Sequence, residues 1–173
     1  MPHISFLGIG LMGAPMVARL LDAGLSLTLW NRTPDKAQRF ADRALIAASP
    51  AQAVAGADVV ITMLEDGAVV DQVLYQSGAI AGLRPETLVI DMSSIEPATA
   101  RRHGAQVTQQ GGGYLDAPVS GGTRGAEAGA LSIMAGGSEV DFHRAAPVFQ
   151  ALGKATHIGP VGSGQLAKLA NQA

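Results

Sequence analysis

Six residues near the start of the chain constrain its fold more than any other feature. Gly8-Ile9-Gly10-Leu11-Met12-Gly13 is a G-x-G-x-x-G. It closes a short apolar run, Ile4–Ile9, and opens Leu11–Ala23, where Leu11, Val17, Leu20 and Leu21 recur near helical spacing before Gly24. A strand that turns through glycines into a helix is the context that gives this pattern meaning. Gly8 permits the tight turn, Gly10 lets a pyrophosphate approach the backbone, and Gly13 permits close packing of helix on strand. Free N–H groups at the helix start then face the anion. A glycine-rich turn in some other α/β protein is the competing reading. The place of the motif at the head of a βαβ frame favours dinucleotide binding.

The rest of the chain keeps that frame. Leu25–Trp30, Ala57–Met63 and Leu88–Met92 read as strands. Thr33-Pro34-Asp35 and Ser49-Pro50 read as helix starts, each a capping residue before a proline. Asp66–Tyr75 and Pro97–Gln109 read as helices. Continuous apolar strands between helices predict a doubly wound, mainly parallel sheet of the α/β class, with helices on both faces. Further on, Tyr114–Val119, Leu131–Ala135 and Ala155–Ile158 read as strands. Ser138 caps a helix to about Leu152 that Pro147 kinks, and Gly162-Ser163-Gly164 opens a helix over Gln165–Ala173 that has no stop signal. The expectation is a domain over 1–163, with 164–173 as the start of a helix cut short.

Several function classes drop out on composition. With 173 residues the chain is sized for one domain. It has 0 Cys, which removes disulfide scaffolds, thiolate zinc sites and cysteine nucleophiles and suits the cytoplasm. A net charge of -2 with scattered Lys and Arg argues against a nucleic-acid partner. No apolar stretch spans a membrane, and Met1-Pro2-His3 has no basic start before an apolar run. His3, His103, His143 and His157 lack ligand spacing, so no metal site is expected.

The end of the second strand selects the dinucleotide. A site for NAD carries Asp or Glu there, bonding the ribose hydroxyls. This chain has Asn31-Arg32-Thr33. Nothing there repels a 2′-phosphate, and Arg32 can pair with it or stack on adenine. Thr33 can add a hydroxyl or simply cap the next helix. NADP is therefore the preferred cofactor, with NAD the alternative. Ligands in open α/β sheets sit at the carboxyl ends of strands, so Met63-Leu64 and Ser93-Ser94 are candidates to line the nicotinamide half. Helix-cap chemistry competes for both serines, and Asp91 can equally be a structural turn residue.

A second candidate site lies downstream. Asp116-Ala117-Pro118-Val119-Ser120-Gly121-Gly122 offers a hydroxyl and unencumbered N–H groups suited to a carboxylate, though alone it equally describes an ordinary turn. On the last helix, Lys168 shares a face with Asn171 and Gly164, which aligns a proton donor, an amide and a gap for substrate. A lysine whose pKa burial lowers can exchange a proton with a carbonyl or alcohol. An exposed helix lysine is the competing reading.

Four blocks together resemble the β-hydroxyacid dehydrogenases, the family of 3-hydroxyisobutyrate dehydrogenase, tartronate semialdehyde reductase and glyoxylate/succinic semialdehyde reductase. They are Phe6–Met16, Asp91-Met92-Ser93-Ser94, Asp116–Gly122 and Gly162–Asn171. Their order and spacing cover essentially the whole chain. The resemblance implies a Rossmann-like fold in which Gly8, Ile9, Gly10, Leu11, Met12 and Gly13 hold the pyrophosphate. Met63, Leu64 and Ser94 would touch the cofactor, and Asn31, Arg32 and Thr33 look like the NADP-using members. Ser120, Gly121 and Gly122 would hold the substrate carboxylate, Lys168 would be the catalytic acid/base, and Asn171 would position the substrate. Asp91–Ser94 and Asp116–Gly122 look most like tartronate semialdehyde reductase (2-hydroxy-3-oxopropionate reductase), so the implied activity is hydride transfer between NAD(P)H and a small semialdehyde or β-hydroxy acid. A non-catalytic dinucleotide-binding module and an NAD-selective 3-hydroxyisobutyrate dehydrogenase are the alternatives. Family members continue into an all-helical C-terminal domain that closes the site and makes most of the homo-oligomer interface. The chain is expected to lack it, and alone to bind cofactor but turn over slowly or not at all.

Overall fold

The computed structural model describes residues 1–172. The chain runs β1 (His3–Leu7), α1 (Gly13–Asp22), β2 (Ser26–Trp30), α2 (Pro34–Gln38), β3 (Leu45–Ile46), α3 (Pro50–Val54), β4 (Val59–Thr62) and α4 (Gly67–Val70). It continues through β5 (Leu88–Asp91), α5 (Pro97–Gln109), β6 (Gly113–Asp116), β7 (Val119–Ser120), α6 (Gly122–Ala128) and β8 (Leu131–Gly136). Then follow α7 (Glu139–Arg144), α8 (Ala146–Leu152), β9 (Gly153–Gly159) and α9 (Ser163–Gln172). A π-helical turn, Asp71–Gln76, prolongs α4. Ala173, the last residue of the predicted final helix, lies outside the described residues.

Alternation along the central strands decides the layering. Successive side chains of a strand point to opposite faces. Ile4 and Phe6 of β1, Val59 and Ile61 of β4, and Leu88 and Ile90 of β5 enter one apolar cluster with Met16, Val17 and Leu20 of α1 and Val148 and Phe149 of α8. Leu7, Val60, Val89 and Tyr114 enter the other, with Ala53 and Val54 of α3, Val70 of α4 and Ala100 and Val107 of α5. Each cluster is one face of the sheet covered by helices. All of β4 and β5 is buried, as expected of strands covered on both sides.

The strand order is β3-β2-β1-β4-β5-β6-β8-β7, with β9 paired to β8. Pairing is parallel from β3 to β6 and again between β8 and β9. It is antiparallel where β8 meets β6 and β7. This is the mainly parallel, Rossmann-like sheet predicted above. The chain winds outward from β1 to β3, then crosses back to β4, so the order reverses between β1 and β4. The crevice outside the carboxyl ends of those two strands is where such sheets bind ligands.

Local signals hold at most helix starts. The Ser49 and Ser138 hydroxyls accept from the N–H groups of Gln52 and Asp141, both at 3.1 Å. Pro34, Pro50 and Pro97 stand in the first turns of their helices. Two predictions fail. Tyr114–Val119 is not one strand: β6 ends at Asp116 and β7 starts at Val119. Pro118 has no N–H for a ladder, and around it the chain leaves β5 and turns onto β8, where the Pro118 carbonyl accepts from Met134 at 3.1 Å. Nor is the helix after Ser138 continuous. It stops at Ala145 and restarts as α8 with Pro147 in its first turn, because proline cannot bond back into a preceding helix. The pair Leu45–Ile46 was not predicted as a strand; two residues are too short to show a period.

Candidate functional site

At the crevice, β1 delivers Gly8 into a cavity of about 510 Å³. Ten of the predicted cofactor residues line it: Gly8, Gly10, Leu11, Met12, Gly13, Asn31, Arg32, Thr33, Met63 and Leu64. The three glycines differ in what they do. Gly8 has φ +107°, and a Cβ there would strike the Met63 carbonyl. A Cβ on Gly13 would collide with the Gly8 carbonyl oxygen. Both are therefore required by the loop's own packing. Gly10 has nothing within 4 Å of its Cβ position, so its backbone stands open to the cleft. The first turn of α1 carries neither a capping side chain nor an acidic residue. Ala14 and Met16 N–H donate to the Gly10 and Met12 carbonyls and Pro15 has no N–H, so the groups open to an incoming anion are those of the glycine loop from Gly10 to Gly13, which fits a pyrophosphate.

Ile9 departs from the expectation. Its side chain is 1% exposed in the core, and its N–H donates to Asn31 Oδ1 at 2.8 Å, so it braces the loop from behind. Asn31 also spends its Nδ2 inside the loop, donating to the Thr33 carbonyl at 3.0 Å. Thr33 occupies the capping position of α2, yet its hydroxyl makes no capping bond and remains at the cleft. Arg32 and Lys36 are both exposed at the cleft edge, and among the described residues neither has an ion-pair partner. Sequence reasoning does not single out Lys36, whose one signal is that it is the next cation after Arg32. Trp30, Glu65, Val69 and Val73 also line the cleft without having been predicted.

Across the Met63–Gly67 loop lies a second cavity of about 600 Å³ that includes Ser94 and Lys168. The two serines after β5 divide the work. Ser93 is buried, and its hydroxyl accepts from Leu64 N–H at 2.9 Å, tying the two cofactor loops together. Ser94 is exposed to the cavity. Lys168, half-buried on α9, donates from Nζ to the Val119 carbonyl. Burial holds its pKa below the ordinary lysine value. Its ammonium thus sits one residue from Ser120, which begins the Ser120-Gly121-Gly122 run. Gly121 and Gly122 have φ +129° and +62°, conformations that favour glycine, and both are exposed. Asn171 Nδ2 donates to Met134 Sδ at 3.4 Å. Gly164 does not leave a gap for substrate. It is buried, and a Cβ there would strike the carbonyl oxygens of Met134 and Asp116, so it brings α9 tight against β8 and β6.

Two buried carboxylates stand behind the cavities. Asp91 Oδ1 accepts from Thr62 Oγ1 at 2.9 Å and Ser93 N–H at 3.0 Å, while Oδ2 has no partner. Burial pushes its pKa up to about 6. Asp116 is likewise pushed up to about 6 by burial, against the pull of backbone N–H groups from Gly162 and Gln165. Gln165, 2% exposed, was not singled out in the sequence. It accepts from Ile95 N–H at 3.2 Å and donates to the Ser93 carbonyl at 2.9 Å. The histidines are structural where bonded: His3 to Ser26 and Thr28, His103 to Asp71, His157 to the Gly137 carbonyl. Among the described residues no group of metal-binding side chains gathers, and no helix is long and apolar enough to cross a membrane.

The family described as the NAD binding domain of 6-phosphogluconate dehydrogenase matches residues 3–161. The NAD-dependent L-serine dehydrogenase of Pseudomonas aeruginosa is 43% identical over 174 residues, covering 99% of this chain and 58% of that protein. The 2-hydroxy-3-oxopropionate reductase of Escherichia coli is 41% identical over 172 residues, covering 98% of this chain and 59% of that protein. The structure of Mycobacterium tuberculosis 3-hydroxyisobutyrate dehydrogenase with L-serine superposes with a TM-score of 0.94 at 43% identity, covering 99% of this chain and 59% of that one. The chain thus spans about 58% of the length of the curated relatives it matches.

Proposed function

Because the chain belongs to the family of the 6-phosphogluconate dehydrogenase NAD binding domain, with hydroxyacid dehydrogenases and reductases as relatives along nearly all its length, we propose that it is the dinucleotide-binding part of an oxidoreductase acting on a small semialdehyde or β-hydroxy acid. Residues 1–163 are the binding domain in this reading, and α9 follows it. One observation carries the proposal. Lys168 lies 49 residues beyond Val119 and 74 beyond Ser94, yet its ammonium rests on the Val119 carbonyl and its side chain borders the same cavity as Ser94.

The residues then divide the labour. Gly10 and the N–H groups of Leu11, Met12 and Gly13 hold the pyrophosphate, and Met63, Leu64 and Ser94 border the nicotinamide half. Arg32, with Thr33 and Lys36, receives a 2′-phosphate, so NADPH is preferred over NADH. The bound dinucleotide supplies the hydride. Ser120, Gly121 and Gly122 present a hydroxyl and backbone N–H groups to the substrate carboxylate, and Asn171 orients the substrate. Lys168 donates a proton to the carbonyl oxygen in reduction. In oxidation, neutral Lys168 takes the proton of the alcohol, a state that its half-buried surroundings favour. Tartronate semialdehyde is the substrate we favour, on the resemblance of the Asp91–Ser94 and Asp116–Gly122 blocks.

The test is an assay of a protein carrying this chain together with the further length of its relatives. NADPH and NADH oxidation would be followed with tartronate, succinic and methylmalonate semialdehydes and with glyoxylate. Lys168→Met is expected to lower kcat by at least about 100-fold, the scale of a lost general acid, with little change in cofactor affinity. Undiminished turnover in Lys168→Met would contradict the mechanism. Silence toward every substrate, with cofactor binding intact, would favour a non-catalytic binding module.

A further inference from the structure

The helix that carries Lys168 has no cap of its own. It is preceded by Gly162, at φ +95°, which offers no side-chain acceptor. The acceptor comes instead from Asp116, at the end of β6. Its Oδ1 accepts from Gly162 N–H at 2.7 Å and its Oδ2 from Gln165 N–H at 2.9 Å. The carboxylate is fully buried, and the structure makes room for it: a Cβ on Gly136 or Gly164 would press on its oxygens. The same first turn is gripped from a second side. Gln165 is hydrogen-bonded at both ends of its amide to the Ser93–Ile95 segment, the loop that carries Ser94. Two bonds to β6 and two to the loop after β5 fix both the axial position and the rotation of α9. Lys168 follows Gln165 by three residues, on the same side of the helix.

We infer that Asp116 and Gln165 are positioning residues that set the Lys168 ammonium against the Val119 carbonyl, beside Ser120. Asp116 lines neither cavity; Gln165 borders the Lys168 cavity, but both ends of its amide are engaged with the Ser93–Ile95 segment. Both act on the lysine through the helix. The inference rests on the reading of Lys168 as the acid/base. It adds that the lysine's depth is set by a carboxylate 52 residues earlier in the chain.

The chain has three lysines, Lys36, Lys154 and Lys168, so selective 13C labelling of lysine gives a spectrum in which the Lys168 Cε signal can be assigned by substitution and titrated in the 173-residue chain itself. In the unaltered chain Lys168 is expected to titrate below the ordinary lysine range. In Asp116→Asn an amide N–H faces a backbone N–H, the grip on α9 loosens, and the Lys168 midpoint is expected to rise toward the ordinary range as the side chain gains water. The direction discriminates, since removing a nearby negative charge would by itself move a lysine the other way. Gln165→Met removes the second grip with no change of charge. It is expected to raise the midpoint too, and it serves alone if Asp116→Asn does not fold. A Lys168 that keeps its low midpoint in folded Asp116→Asn and Gln165→Met would overturn the positioning inference while leaving the lysine's role standing. An ordinary midpoint in the unaltered chain would overturn the reading of Lys168 itself, and this inference with it.

Discussion

The two places proposed to meet ligands are built in opposite ways. The Gly8–Gly13 loop is settled mostly by its neighbours. Gly13 packs on Gly8, Ile9 is held by Asn31 just beyond β2, and Ala14 and Met16 close the helix start onto Gly10 and Met12. The Lys168 site has no such local basis. It is assembled from Asp116, Val119, Ser93 and Gln165, whose bonds span 46 to 72 residues of sequence. The first site needs only β1, β2, α1 and the end of β4, where Met63 packs against Gly8. The second exists only when the loops after β5 and β6 and the start of α9 have all docked. The proposed anion binding and the proposed acid/base chemistry therefore differ in how much of the fold each requires.

That contrast can be broken or sharpened by substitution. The largest effect is expected at Gly13→Ala, where the new methyl strikes the Gly8 carbonyl. Dinucleotide affinity should fall by at least about 100-fold, or roughly 3 kcal/mol, in a binding titration. The Lys168 titration should stay as it is, because the clash at Gly13 lies apart from Asp116 and Gln165; a change there would show that the Ser93 link between the loops carries it across. Smaller is Arg32→Asp, at the exposed edge of the first cleft. Replacing the cation by an anion should shift the NADPH-to-NADH affinity ratio about tenfold or more toward NADH. An unchanged ratio would remove Arg32 from the 2′-phosphate site.

The smallest effect concerns the buried carboxylates behind the second site. A folded-state pKa of about 6 for Asp91 lies above the unfolded 3.8, so the folded chain takes up a proton that the unfolded chain does not. The group therefore costs stability at neutral pH, and the cost is relieved as pH falls through 6. Between pH 7 and 5 the unaltered chain should gain about 1 kcal/mol on its Asp91→Asn variant, which has no proton to bind. Denaturant titrations at the two pH values measure this. A constant difference would mean that Asp91 is already protonated at neutral pH or is not buried as described.

Legibility in the sequence followed the same divide. Ser49-Pro50, Ser138 and Pro97–Gln109 could be read because caps, prolines and periodicity are statements about adjacent residues. The glycine loop was legible for the same reason, down to the turn at Gly8 and the close packing at Gly13. The split at Ala117-Pro118 was not, since it depends on β8 waiting to receive the chain on its far side. Gly164 was misjudged because a helix face in isolation says nothing of what lies above it; a glycine next to a lysine describes a gap and a tight contact equally well. Asp116 was grouped with the substrate loop, and its bonds to Gly162 and Gln165 lie outside any local pattern. Gln165 gave no signal at all, being a polar residue on a short helix whose importance comes from Ser93 and Ile95.

The claim on which the rest depends is that the cleft at the reversal of strand order holds a dinucleotide and discriminates by its 2′-phosphate. Titrating the 173-residue chain with NADPH and with NADH, by calorimetry at fixed salt, tests it most directly. Saturable one-to-one binding of both is expected, tighter for NADPH. Failure of the folded chain to bind either would contradict it, and tighter binding of NADH would contradict the part assigned to Arg32.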